Sequence, residues 1–130
     1  FDFHQVSRIG EDDVQRLLQN AGIIRHRGKI EAVINNAVRV QEMVEQEGSL
    51  AAFFWGFEPD TDSLPPPQTQ TTSPESIALS KALKKRGWKF VGPTTAFAFM
   101  QAMGLVNDHS LTCITREQVA QARQQFKRPI

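Results

Sequence analysis

The sequence has no tyrosine and only one cysteine among its 130 residues. A single cysteine excludes an internal disulfide framework and is typical of a reducing compartment, so we expect a cytoplasmic protein. The longest apolar stretch, 49–57, is far shorter than the ~20 residues that cross a bilayer, and no basic-then-apolar pattern indicates a secretion signal. We therefore expect no membrane partner. With 40% hydrophobic and 22% charged residues, the chain suits one compact domain spanning 1–130.

Acidic residues are absent between Ser76 and Asn107, although the net charge of the whole chain is only +1. Five cations fall within that acid-free stretch: Lys81, Lys84, Lys85, Arg86 and Lys89. A second basic group, formed by Arg25, Arg27 and Lys29, lies in a loop-like stretch. Such asymmetry is typical of a face that meets phosphates, and an ordinary solvated helix surface is the alternative.

Hydrophobic residues recur at helical spacing along most of the chain, and no alternating strand pattern is present. The spacing predicts an all-α fold of about six helices, centred on 14–21, 30–44, 50–55, 77–83, 96–103 and 119–126. Five of the seven prolines fall in 59–74, which predicts an extended surface loop. The residues expected to face inward on the fourth and fifth helices are Ile77, Ala78, Ala82, Leu83, Ala96, Phe99, Met100 and Met103. A capping box at Thr115 and Gln118 is expected to open the last helix.

The connection between the fourth and fifth helices carries the strongest functional pattern. Gly92 before Pro93 predicts a tight turn into a helix whose first amides are unpaired. Such amides, at about Thr94 and Thr95, can hold a phosphate oxygen, and Lys89 adds charge beside them. The pattern therefore predicts a salt-sensitive contact with a nucleic-acid backbone that is independent of sequence. A plain helical hairpin is the alternative.

Two aromatic residues flank this connection. We interpret Trp88 and Phe90 as core anchors, because large aromatic side chains are more often buried than used as base-stacking platforms.

Residues 88–96 resemble the helix-hairpin-helix DNA-binding motif, whose usual form is Leu-Pro-Gly-Val-Gly-x-x-Thr-Ala. The chain keeps Val91, Gly92, Thr95 and Ala96, and it has Lys89 and Phe90 where the motif has proline and its first glycine. Three longer blocks, at 20–30, 78–92 and 99–109, are similar in the same order to the DNA-3-methyladenine glycosylase I family. The resemblance implies a helix-hairpin-helix glycosylase-like bundle, with the motif at about 76–104.

The same resemblance implies a function. Members of the family hydrolyse the N-glycosidic bond of 3-methyladenine in alkylated double-stranded DNA, as part of base excision repair after DNA damage. The family's catalytic carboxylate and aromatic cage lie in an N-terminal segment upstream of Phe1, so we expect a truncated chain and assign no catalytic residue. Related helix-hairpin-helix glycosylases have a catalytic aspartate shortly after the hairpin, and Asp108 is displaced from that position by one residue. We therefore interpret Asp108 as a structural cap or support residue. The residues assigned to DNA binding are Lys85, Arg86, Lys89, Gly92, Thr94, Thr95, Arg25 and Arg27.

Two other classes of function stay open. One is a non-catalytic DNA-binding remnant that keeps the helix-hairpin-helix motif. The other is a helical dimerisation module, in which the surface exposed by truncation causes self-association.

His109 and Cys113 are four residues apart, so one helical turn would place both side chains on the same face. Imidazole and thiolate are good zinc ligands, whereas a free buried cysteine is the alternative. The resemblance implies a structural zinc held by this pair together with a second cysteine and histidine near the family's N-terminus. His4 and His26 do not match that second pair, so we expect an empty or weak site in this chain.

Overall fold

Seven α-helices and one 3-10 turn make up the regular structure of residues 1–129, which are the residues that the computed structural model describes. The helices are α1 (Phe3–Val6), α2 (Glu11–Leu18), α3 (Arg27–Glu47), α4 (Leu50–Trp55), α5 (Pro74–Lys85), α6 (Pro93–Ala102) and α7 (Ile114–Gln125). Because these described residues contain no strand, the all-α prediction is confirmed. None of their helices is long and apolar enough to span a membrane.

The helix that hydrophobic spacing did not predict is α1. It has only four residues, none of them buried, and Asp2 caps it by accepting a 2.8 Å hydrogen bond from the His4 amide. The loop 59–74 contains one short 3-10 turn, Thr61–Ser63.

The chain divides into two compact units, which are described separately. Unit 1 combines residues 1–50 with 83–90, and unit 2 combines 51–82 with the described chain from Val91 onward. That 1–130 forms a single domain stays a prediction.

Unit 1 is organised around the long helix α3. Its buried residues are Ala32, Ala37, Val40 and Met43, and Val14 of α2 is also buried. Gly48 ends α3 with φ of 76°, a left-handed conformation that glycine adopts without steric cost.

Unit 2 has its core at Trp55, Leu79, Phe97, Met100, Leu105 and Val106. On α5 the inward residues of this unit are Ser76, Leu79 and Ser80, so the prediction that Ile77 and Ala78 face inward was wrong. The serines can be buried because their hydroxyls are hydrogen-bonded. Ser76 Oγ donates to the Ser73 carbonyl at 3.0 Å, and Ser80 Oγ donates to the Val91 carbonyl at 2.7 Å.

Two further expectations about unit 2 were wrong. Phe99 of α6 and Met103, which follows the end of that helix, are 36% and 55% exposed, and Phe97 is buried in their place. The Phe99 ring instead lies 4.8 Å from that of Phe54. The capping box is also absent, because α7 begins one residue before Thr115 and its N-cap residue is Cys113.

Candidate nucleic-acid interface

The start of α6 has no side-chain cap. Gly92 is the N-cap residue, with φ of −60° and ψ of 164°, and Pro93 occupies the first turn. The Ala96 amide bonds to the Gly92 carbonyl at 2.9 Å, while Thr94 and Thr95 before it are exposed. The amides of this first turn therefore lie where the helix dipole favours an anion.

Gly92 also leaves space in front of those amides. A Cβ atom built on Gly92 would meet no heavy atom within 4 Å, so the fold itself does not require a glycine there. Its backbone angles are open to any residue. The missing side chain gives a ligand a close approach to the backbone instead.

In unit 1, two consecutive asparagines of α3 hold the turn that follows α5. Asn36 Oδ1 accepts from the Lys89 amide and Asn36 Nδ2 donates to the Lys89 carbonyl, both at 2.9 Å. Asn35 Nδ2 donates to the Gly87 carbonyl, also at 2.9 Å. These bonds fix the backbone of a turn that has no regular secondary structure of its own.

Phe90 has a strained backbone and an exposed ring. Its φ is 56°, in the left-handed region that bulky residues rarely enter, and it is 59% exposed. The interpretation of Phe90 as a core anchor was therefore wrong, whereas Trp88 is half-buried. A glycine at this position would adopt the left-handed backbone without steric cost.

The predicted DNA-binding cations fall into two groups. Arg86 pairs with Glu47 and bonds Gln46 at 3.0 Å. Lys85, Lys89 and Arg25 are exposed, and within residues 1–129 they make no ion pair. The second group is therefore the better placed to meet phosphates.

Arg27 belongs to the engaged group. It pairs with Glu11 at 2.9 Å and with Glu31 at 3.2 Å. Hydrogen bonding to Arg27 lowers the pKa of the Glu11 carboxyl, and the same bond raises the pKa of Arg27. A DNA contact by this side chain stays a prediction.

His109 and Cys113 lie side by side in unit 2. Both are half-buried, and Cys113 Sγ is 4.0 Å from His109 Nδ1. In a tetrahedral zinc site the two ligand atoms would be about 3.6 Å apart, so a small side-chain adjustment suffices. Hydrogen bonding from Thr115, above all from its backbone amide, lowers the pKa of the Cys113 thiol. The described residues bring no third ligand to this pair, so they fit half of a zinc site and do not complete one.

A cavity of about 710 Å³ lies in unit 2, beside the C-terminal half of α6 and α7. Its lining includes Trp55, Gln101, Met103, Asp108, His109 and Phe126. The Asp108 carboxylate accepts from Gln101 Nε2 at 2.9 Å and from the Gln68 amide at 3.0 Å. These bonds anchor the loop around Gln68, and the supporting role of Asp108 stays a prediction.

One wall of this cavity comes from residues 123–128, which we call the C-terminal latch. The Glu58 carboxylate accepts two hydrogen bonds from Arg123, at 2.6 and 2.7 Å, and Arg128 lies 3.7 Å from it. The Arg123 guanidinium sits 5.1 Å from the Trp55 ring centroid, and the Phe126 ring is 4.7 Å from the same ring. Hydrogen bonding to Glu58 raises the pKa of Arg123.

Sequence reasoning missed three residues that position the α5–α6 connection: Asn35, Asn36 and Ser80. A signal for the asparagines was present, since asparagine is a poor residue for the interior of a helix and two in succession call for a reason. No comparable signal marked Ser80, because serine is common on exposed helix faces.

A helix with an open N-terminus that follows a basic stretch of chain is typical of a nucleic-acid-binding domain. The sequence model of the methyladenine glycosylase family matches residues 1–117, so the chain belongs to that family. DNA-3-methyladenine glycosylase 1 of Escherichia coli is 49% identical over 117 residues, and the Haemophilus influenzae DNA-3-methyladenine glycosylase is 42% identical. Each match covers 87% of this chain and 63% of the relative, so the chain spans less than two thirds of their length.

Solved structures show the same likeness. A crystal structure of 3-methyladenine DNA glycosylase I matches with a TM-score of 0.76 and 50% identity, over 87% of this chain and 64% of that one. The Staphylococcus aureus enzyme, whose structure concerns 3-methyladenine recognition, matches with a TM-score of 0.78 and 30% identity, over 88% and 63%.

Proposed function

We propose that this chain is the DNA-binding part of an enzyme that removes 3-methyladenine from alkylated DNA by hydrolysing the N-glycosidic bond of the damaged nucleotide. The observation that carries the proposal is the uncapped start of α6, where exposed Thr94 and Thr95 follow the bare backbone of Gly92. Family membership supplies the reaction, and the names of the relatives supply the substrate. We interpret α5, the turn and α6 as a helix-hairpin-helix motif.

In unit 2, the open amides at the start of α6 offer a contact to phosphate. In unit 1, the exposed side chains of Lys85 and Lys89 form no ion pair with any residue from 1 to 129, and Asn36 holds the backbone at Lys89. Contacts of these kinds read the sugar-phosphate backbone rather than the base sequence, as an enzyme that searches for rare lesions requires.

Within unit 2, α6 connects the phosphate grip to the cavity. From Thr94 to Gln101 the helix rises about 10 Å, at roughly 1.5 Å per residue. An alkylated base must leave the helical stack before its glycosidic bond is accessible, and weak pairing at the lesion lowers that cost. Methylated adenine is also a cation and a good leaving group. We propose that a base extruded beside the gripped phosphates meets this cavity, and we assign no catalytic residue.

We propose that His109 and Cys113 bind zinc only in a longer form of this chain that supplies the other ligands. His109 and Cys113 would supply two of the four ligands that a structural zinc normally takes, and zinc would there fasten the start of α7. With only this pair, we expect weak binding. Titration with cobalt(II) should show no intense thiolate charge-transfer band at micromolar metal, and a strong tetrahedral spectrum would contradict the half-site.

The function is tested by measuring duplex binding and base release separately. Fluorescence anisotropy with a labelled 20-base-pair duplex should give an affinity that falls steeply with salt. Lys85→Gln and Lys89→Gln should each reduce the slope of log K against log salt by about 0.9. Lys127→Gln is the matched control, because Lys127 is an exposed cation that follows the end of α7. It should leave the slope unchanged. Duplex binding that does not depend on salt would refute the proposed grip.

Base release separates the enzyme from the two alternatives. Incubation with methylated DNA and chromatography of the released bases should show 3-methyladenine when the whole enzyme is assayed, and little or none for this chain alone. Salt-dependent binding without release by the whole protein would indicate a DNA-binding remnant. A stable dimer in sedimentation, without DNA affinity at low salt, would indicate the dimerisation module; Leu111 and Ile114, 78% and 79% exposed, are the apolar residues best placed for it.

A further inference from the structure

Unit 1 carries an exposed pair of aromatic rings, His26 and Phe90, that the proposed backbone grip does not use. The two ring centroids are 6.3 Å apart and the planes meet edge-on at 84°. Phe90 is 59% exposed, and His26 is exposed as well. We call these two residues the aromatic pair.

The backbone of Phe90 makes its exposure informative. A left-handed φ of 56° is unfavourable for a bulky L-residue, and an exposed ring gains little from hydrophobic burial to offset that strain. The conformation is fixed by the preceding residue, since Asn36 bonds both backbone groups of Lys89. Strain held in place by its surroundings is characteristic of functional positions.

His26 is held as firmly as Phe90. Its Nδ1 accepts a 3.1 Å hydrogen bond from the Lys29 amide and so caps α3. A Cβ atom on Gly28 would come within 3.0 Å of His26 Cε1, so the absence of a side chain at Gly28 makes room for the ring. The aromatic pair is therefore a preformed surface and not a mobile loop tip.

Three cations lie close to the aromatic pair along the chain. Arg25 precedes His26, the backbone amide of Lys29 donates to the His26 ring, and Lys89 precedes Phe90. All three are exposed, and none of them forms an ion pair with any residue from 1 to 129. An exposed aromatic surface flanked by unpaired cations is complementary to a base whose neighbouring phosphates are negatively charged.

We propose that the aromatic pair stacks against an unpaired base of the DNA, with Phe90 as the main contact and His26 supporting its edge. This inference rests on the proposed function, because it needs DNA to be held at the same turn. It adds a contact with a base to a grip that otherwise contacts only the backbone. The pair would thereby favour DNA in which one base has already lost its partner.

The probe is a labelled 20-base-pair duplex that contains 2-aminopurine opposite an abasic-site analogue, compared with the fully paired duplex. The full chain should bind the first duplex more tightly, and 2-aminopurine fluorescence should be quenched as its ring stacks. Phe90→Ala should weaken binding of this duplex by about 5- to 150-fold. It should weaken binding of the paired duplex far less and leave the salt slope unchanged.

Three further variants separate stacking from folding. Phe90→Gly relieves the left-handed strain and should lose as much affinity as Phe90→Ala, whereas Phe90→Trp should keep both affinity and quenching. Leu111→Ala removes a more exposed apolar side chain from unit 2 and is the matched control. Equal affinity of the wild type and Phe90→Ala, with a normal salt slope, would overturn the stacking contact alone. Absence of salt-dependent binding by the wild type would overturn the proposed function with it.

Discussion

Replacing Asn36 by alanine removes two hydrogen bonds that hold the turn after α5 on α3. Both are 2.9 Å long and both involve the backbone of Lys89. At about 1 kcal/mol each they contribute about 2 kcal/mol. Alanine recovers about 0.6 kcal/mol, because it is the better helix former at this mid-helix position. The expected net loss is about 1.5 kcal/mol.

Urea and thermal unfolding measure this loss. For a chain of this length, 1.5 kcal/mol corresponds to a decrease in Tm of about 5 °C. Asn36→Asp keeps the oxygen that accepts from the Lys89 amide but places a carboxylate oxygen against the Lys89 carbonyl, so it should lose at least as much as Asn36→Ala. Glu45→Ala, at an exposed position of the same helix, measures only the effect of alanine on helix propensity, and it should be neutral or slightly stabilising.

The same variant should weaken DNA binding, since Lys89 and Phe90 depend on the turn that Asn36 holds. We expect Asn36→Ala to reduce affinity for duplex DNA while Glu45→Ala leaves it intact. An Asn36→Ala protein as stable as the wild type would refute the reasoning, because it would show that the turn keeps its conformation without these bonds.

Three other predictions concern strain, the latch and pH. Phe90→Gly should be more stable than Phe90→Ala by about 1 kcal/mol in urea unfolding, since only glycine adopts a φ of 56° without cost. At ordinary positions the alanine variant is the more stable one, and that order here would contradict the strain at Phe90. A double-mutant cycle of Glu58→Gln and Arg123→Met should give a coupling energy of about 2 kcal/mol, whereas additive effects would show that the latch contributes nothing. Glu11 has a pKa below its ordinary 4.5, so its ion pair with Arg27 stabilises the fold above that pH and is lost as pH falls through the lowered value. Arg27→Gln should therefore flatten the decrease in stability as the pH falls below 4.5, and an unchanged pH profile would contradict the assignment.

The helices were predictable because their hydrophobic residues and caps act locally. The spacing along 30–44 and the glycine at Gly48 indicated α3, and the structure ends that helix at Glu47. The inward face of α5 was not predictable by counting apolar residues. Its buried positions include Ser76, whose hydroxyl donates to the carbonyl of Ser73 in the preceding turn, and Ser80, whose hydroxyl donates to the carbonyl of Val91 beyond the end of the helix.

In the candidate site, too, the local features were predictable and the tertiary contacts were not. Gly92, Pro93 and the surrounding lysines could be recognised from residue type and order. The contact that holds the turn could not be recognised from the sequence, because Asn36 lies 53 residues from Lys89 in the chain. The exposure of Phe90 was also missed, since a large aromatic residue is ordinarily buried and only the left-handed backbone turns it outward. The C-terminal latch, residues 123–128, lies entirely beyond the family-matched residues 1–117, so no resemblance pointed to it.

The central claim, that open amides at the start of α6 grip a phosphate, is tested most directly by Gly92→Asp. An aspartate N-cap would bond these amides itself and place a negative charge where the phosphate should lie. Gly10→Asp is the matched control, because Gly10 is also an uncapped N-cap residue with no atom within 4 Å of a built Cβ. We predict that Gly92→Asp preserves or slightly raises stability while duplex affinity falls at least tenfold, and that Gly10→Asp leaves affinity within about twofold of the wild type. Unchanged affinity in a folded Gly92→Asp protein would contradict the claim.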